Sequence, residues 1–176
     1  MGQERQVVSV FGSGDPRPGE TDYELAMAVG KRLAELGYAV ANGGYGGTME
    51  ASARGAMSAG GDTIGVTCSI WSSSPNKFID RMIATASLQE RLSKLIELGR
   101  SGYVVLPGAT GTLAELAWVW ELSCKGLMQS GPRPIVCVGP FWRPLIDMMN
   151  SARPSCADSV TLIDSPEELE TFFPSE

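Results

Sequence analysis

Two side chains in this sequence, Arg91 and Glu115, are placed to do chemistry. A carboxylate can stabilise a developing cation or activate water, and a guanidinium can orient it or hold an anion. They stand out because the 176 residues contain no histidine. That excludes a Ser-His-Asp or Cys-His nucleophile, a His-based zinc site and an imidazole proton shuttle. Chemistry built on an arginine and a carboxylate needs no metal and no cofactor.

Arg91 lies in a segment, Leu88 to Leu98, that reads as a helix with Ser87 and Glu90 in capping-box positions. At about 100° per residue, Leu88, Leu92, Leu95 and Ile96 form a buried stripe, and Arg91 falls inside that arc. Glu90 and Lys94 fall on the opposite face as an i,i+4 solvent pair. An inward guanidinium needs a partner. Two roles fit it: a salt bridge at the rim of the core, or a functional site.

Glu115 ends Thr112-Leu-Ala-Glu115, which has capping-box spacing. The helix it opens, Leu113 to about Leu127, is apolar nearly all round. Leu113, Leu116, Ala117, Trp120, Cys124 and Leu127 form one stripe; Trp118, Val119 and Leu122 form another. Such a helix is covered on both sides, which predicts a homodimer through it. Glu115, set between Trp118, Val119 and Leu122, is expected to have a raised pKa through desolvation.

Eight of the twenty-one glycines fall in three turns. Gly12 and Gly14 follow one apolar run; Gly43, Gly44, Gly46 and Gly47 follow a second; Gly108 and Gly111 follow a third. Two of these turns end Gly-Thr before a helix. Tight strand-to-helix turns use glycine in any case. Three together predict backbone amides and helix N-termini that hold an anionic, nucleotide-like ligand. Gly12, Ser13, Gly44, Gly46, Gly47, Thr48, Pro107, Gly108, Gly111 and Thr112 are the candidate ligand-binding residues. There is no GxxxxGK[ST], no third glycine after Gly12-Ser-Gly14, and no acidic residue at Ala41-Asn42 to hold a ribose of NAD. A Walker NTPase and a dinucleotide dehydrogenase are therefore disfavoured.

Strand–helix alternation must position these groups. Apolar runs at Val7–Phe11, Tyr38–Ala41, Thr63–Thr67, Tyr103–Leu106, Pro134–Val138 and Ser159–Ile163 read as strands. Helices are expected from Thr21-Asp-Tyr-Glu24 (a capping-box spacing) to Leu36, from Met49 to Ala59, from Pro144 to Asn150, and after Ser165-Pro-Glu-Glu168. The small residues of the Met49–Ala59 helix suggest close packing on a sheet. Residues 68–86 are the least regular part, with Trp71 and Phe78 as stacking or anchoring candidates. This pattern predicts one α/β domain, a doubly wound parallel sheet with the glycine turns at its carboxyl edge.

The formal net charge of −6 and pI near 4.7 argue against duplex nucleic acid, though not against a small anion. Cys124 and Cys137 read as reduced core residues. With no signal peptide and no membrane-spanning run in view, a cytoplasmic protein with no membrane partner is expected.

Gly43-Gly-Tyr-Gly-Gly-Thr48, Glu90-Arg91 and Pro107-Gly-Ala-Thr-Gly-Thr-Leu-Ala-Glu115 together resemble the LOG (Lonely Guy) family, often labelled possible lysine decarboxylases. The resemblance runs from about Val7 to Asp164. It implies a Rossmann-like dimer that hydrolyses the N-glycosidic bond of an AMP-like nucleoside 5′-monophosphate, a cytokinin nucleotide in plants, to free base and ribose 5-phosphate. It also implies that Gly108, Gly111 and Thr112 hold the phosphate, with Gly46, Gly47 and Thr48 nearby. Arg91 and Glu115 become the catalytic pair. Two positions depart from the family pattern: Ala109 replaces a glycine, and Leu92 replaces a lysine. Relatives of similar fold bind nucleotides or the molybdenum cofactor without this hydrolysis, so a carrier is the rival reading; an assembly role is a third. Decarboxylation needs a Schiff-base lysine, and none of Lys31, Lys77, Lys94 and Lys125 sits in a recognisable site.

Overall fold

The computed structural model describes residues 6–128 and 131–175. Among them, β1 (Val7–Phe11), β2 (Ala39–Asn42), β3 (Thr63–Cys68), β4 (Arg81–Thr85), β5 (Gly102–Val105), β6 (Ile135–Val138) and β7 (Thr161–Ile163) form one sheet, and every pairing is parallel. The order is β4-β3-β2-β1-β5-β6-β7. The chain runs outward from β1 to one edge, then crosses back to β5 and fills the other side. Helices α1 (Thr21–Glu35), α2 (Thr48–Ser58), α3 (Leu88–Leu98), α4 (Thr110–Cys124) and α5 (Arg143–Ala152) connect the strands, with 3₁₀ helices at Pro154–Ser159 and Pro166–Thr171.

Continuous apolar strands bury both faces, because successive side chains point to opposite sides. Val8, Val10, Val40, Val104, Val136 and Val138 join the core under α1 and α2. Phe11, Tyr103, Val105, Ile135 and Cys137 join the core under α3, α4 and α5. Burial pushes the Cys137 thiol up to about 12, so it stays protonated. The fold is thus the doubly wound α/β sheet that the alternation predicts.

Several local expectations change. Residues 68–86 contain a strand: β4 pairs along β3 from Ile64↔Arg81 to Cys68↔Thr85. It lies at the sheet edge and is mostly exposed, so it lacks a continuous apolar run. Thr21 does not cap α1; Glu20 is the N-cap and its carboxylate accepts from the Arg17 N–H. α4 begins at Thr110 with Ala109 as its N-cap, so Thr112–Glu115 is not a capping box. Leu88 is exposed rather than part of the buried stripe, and Lys94 pairs with Glu97 instead of Glu90. The small residues of α2 also serve helix packing: a Cβ at Gly30 of α1 would overlap the Ser52 carbonyl, and one at Gly55 the Met27 carbonyl. The Ser165–Glu168 capping box forms, but on a 3₁₀ helix.

Candidate functional site

β1 and β5 are neighbours on which the chain direction through the sheet reverses. At such a switch point the loops leaving two adjacent strands diverge and open a crevice. Here a cavity of about 200 Å³ lies between the turn after β1 (Gly12 to Asp15) and the turn after β5, where Ala109, Gly111 and Thr112 line it. Gly43 and Met49 close it from the side of β2; Arg91 and Glu115 supply buried charged groups to its lining, and Asp15 an exposed carboxylate.

Arg91 reaches the cavity because α3 packs over the carboxyl half of β3. Its Nε donates to the Val66 carbonyl at 2.8 Å, which fixes the plane of the guanidinium. One terminal nitrogen lies 3.7 Å from Glu115 Oε1, and the other contacts Met49 Sδ at 3.8 Å. Gly43 is required for this: any Cβ there would collide with the guanidinium. On its remaining side Arg91 is covered by aromatic rings, 5.5 Å from the centre of Trp71 and 5.9 Å from that of Tyr45.

Glu115 sits one and a half turns into α4. Both members of the pair are largely buried, with side chains 12% and 14% exposed. Burial pushes the Glu115 carboxyl up to about 7, against the opposing pull of Arg91. The separation exceeds hydrogen-bond length, so attraction to Arg91 offsets only part of what burial costs. The result is a carboxyl that exchanges its proton near neutrality beside a permanent cation.

The sequence-derived candidates divide. Gly12, Ser13, Gly111 and Thr112 line the cavity with Arg91 and Glu115. Gly44, Gly46, Gly47, Thr48, Pro107 and Gly108 stand outside its lining. Thr48 is buried and its hydroxyl donates to the Ser13 carbonyl at 2.9 Å. A Cβ at Gly47 would meet the backbone of Ser13 and Gly14, and one at Gly108 the Thr112 side chain. Gly43 belongs to the glycine turn and motif but not to the candidate set, and Asp15 and Met49 are outside both; a carboxylate directly after Gly12-Ser-Gly14 is the one visible signal for Asp15. The Ala109 methyl borders the cavity, whereas Phe78 lies against Arg54 and Lys77. Lys31, Lys94 and Lys125 are occupied in ion pairs with neighbouring glutamates.

A crevice at the switch point of a doubly wound parallel sheet defines a Rossmann-like α/β fold. The chain belongs to the SLOG cluster4 family, whose sequence model matches residues 5–129. It is 32% identical over 138 residues to the cytokinin riboside 5′-monophosphate phosphoribohydrolase of Mycobacterium tuberculosis, covering 77% of this chain and 71% of that protein. Among solved structures it is similar to the molybdenum cofactor binding protein of Rippkaea orientalis, with a TM-score of 0.76, 24% identity, and coverage of 97% and 96% of the two chains. The molybdenum cofactor carrier protein of Chlamydomonas reinhardtii also matches, with a TM-score of 0.71, 23% identity and coverage of 93% and 92%. Among the described residues no helix is long and apolar enough to cross a membrane.

Proposed function

We propose that the chain hydrolyses the N-glycosidic bond of a nucleoside 5′-monophosphate to a free base and ribose 5-phosphate. The observation that carries this is Glu115: a buried carboxyl with a pKa near 7, 3.7 Å from Arg91, in a cavity beside an open helix N-terminus. The phosphate binds at Gly111 and Thr112, where the first amides of α4 have no partner within the helix. Gly12 and Ser13 face it across the cavity. Protonated Glu115 donates its proton to the base as the C1′–N bond breaks and its electron pair leaves with the base. The resulting oxocarbenium ion faces the new carboxylate. Water then adds to C1′ and returns a proton to Glu115. Arg91, 3.7 Å away, stabilises the new carboxylate by charge attraction. The related hydrolase of M. tuberculosis supports this reading.

The test is base release from AMP and modified AMP. Glu115→Gln is expected to lower turnover by about 100-fold or more while AMP still binds. Binding without base release from any nucleotide tested would sink the hydrolase. Leu92 favours a second reading, a carrier of a nucleotide or pterin cofactor, because it supplies no second cation beside Arg91. Co-purification of such a ligand, retained in Glu115→Gln, would select it.

We also propose a homodimer. Trp118, 53% exposed, and Leu127, 64% exposed, leave one side of α4 and its end uncovered. Sedimentation measures it directly: a monomer at micromolar concentration rejects it. A cytoplasmic setting is supported by Cys68, Cys124, Cys137 and Cys156, all free thiols.

A further inference from the structure

Residues 69–80 join β3 to β4 and pass beside Arg91. They are bolted to the glycine turn after β2 by Asn76. Its side-chain amide donates to the Gly44 and Tyr45 carbonyls at 3.1 and 2.8 Å, and its backbone N–H donates to the Gly44 carbonyl at 2.8 Å. Tyr45 in turn is locked to the end of β3: its hydroxyl donates to the Cys68 carbonyl at 3.1 Å and accepts from the Cys68 N–H at 2.8 Å. Trp71 meets the Tyr45 ring edge-to-face, with centroids 5.5 Å apart. The loop and the turn therefore form one unit, and the surface that unit presents to Arg91 is aromatic.

We infer that Trp71 and Tyr45 are positioning residues for Arg91, forming an aromatic wall that holds its guanidinium against the cavity. The reasons are geometric. Among the described residues the Nε bond to Val66 is the one hydrogen bond from the Arg91 side chain to the backbone; it sets the plane of the guanidinium, and the Met49 Sδ contact at 3.8 Å adds only a weak hold on its far end. Glu115 stands at 3.7 Å, too far to clamp it by direct hydrogen bonding. The two rings add a restraint on that side: their π faces attract the cation and keep water off it. Trp71 is 42% exposed, so it covers Arg91 from outside rather than filling core space.

This inference rests on Arg91 belonging to the proposed hydrolytic site, and its test separates the two. The resting protein, without nucleotide, is treated with phenylglyoxal, and modification is followed peptide by peptide by mass spectrometry. Trp71→Ala is expected to speed modification of Arg91 about tenfold; Trp71→Phe, which keeps a ring, stays within about twofold of the parent. Arg133, held by the Gly99 carbonyl and the Tyr103 hydroxyl, is expected to keep its rate. Equal Arg91 rates in the parent and Trp71→Ala overturn the inference, as does a matching rise at Arg133, which marks general loosening. On AMP, Trp71→Ala is expected to lower kcat about tenfold with KM nearly unchanged, and Trp71→Phe to restore it; a loss confined to KM also overturns the inference. If Trp71 protects Arg91 but the parent releases no base, the hydrolase reading alone fails.

Discussion

The turns after β2 and β5 look alike as sequence: both end Gly-Thr and both open a helix. They are built for different neighbours. In the first, glycines let protein approach protein. Gly43 admits the Arg91 guanidinium, Gly47 lies against Ser13 and Gly14, and Thr48 is closed by its bond to the Ser13 carbonyl. In the second, Gly108 is likewise filled, by the Thr112 side chain, but a Cβ at Gly111 would meet nothing within 4 Å, and Ala109, Gly111 and Thr112 face the cavity. Their helices differ in the same sense. Glu50 in α2 accepts from the Tyr23 hydroxyl at 3.0 Å, whereas Glu115 in α4 is buried against Arg91. A glycine-rich turn is therefore not by itself a ligand loop; what decides is whether the space that glycine frees is filled by the chain.

The largest test of that contrast is Gly47→Ala. Its φ of 66° is strained for alanine, and the added methyl would overlap backbone. A loss of about 3 kcal/mol or more, near 10 °C in Tm, is expected. Normal melting with only nucleotide binding impaired would break the comparison.

Next comes the pH dependence of stability. Glu115 has a pKa raised from 4.5 to about 7 in the folded protein. The native state therefore binds more protons than the unfolded chain between those values, and stability falls as pH rises through that window, by roughly 3 kcal/mol. Above pH 7 the loss is complete. Glu115→Gln is expected to flatten this slope in denaturant titrations at pH 5 and 8; an unchanged slope would mean the carboxyl is not desolvated.

Gly111→Ala tests the open turn. The position is helical and uncrowded, so stability is expected to hold or rise by up to about 1 kcal/mol. Binding of AMP, measured by calorimetry, is expected to weaken about tenfold if the proposed phosphate site is right, because the methyl would enter it. Destabilisation without a binding defect would place this turn with the other. The smallest effect belongs to Ala109→Gly. The Ala109 backbone is extended, with φ −96° and ψ −154°, which alanine adopts without strain. Stability is expected within about 0.5 kcal/mol and AMP affinity within about threefold; a larger gain would show that the methyl obstructs the site.

Much of this was legible in the chain because it is local. Buried parallel strands announce themselves as apolar runs, and the helical period alone turned Arg91 inward. β4 was not legible, because an edge strand exposed along most of its length carries no such run. The start of α4 was misplaced by three residues, since Thr110 and Gly111 carry no cap signal and an alanine occupies the N-cap. At the site, Arg91, Glu115, Gly111 and Thr112 were readable from helix phase and motif. Asp15, Met49, the contact of Gly43 with Arg91 and the pairing of Trp71 with Tyr45 were not, because each matters only through neighbours distant in the chain.

The sequence by itself determined the doubly wound sheet, the edge at which its glycine turns gather, and the absence of histidine, which leaves a guanidinium and a carboxylate as the candidate chemical groups. Those follow from hydrophobic period, turn chemistry and composition, which act residue by residue. Only the tertiary structure decided which glycine positions are open and which are filled, how close Glu115 and Arg91 lie, and what packs against Arg91. Each of these depends on how much space and water remain between segments that the chain brings together only on folding.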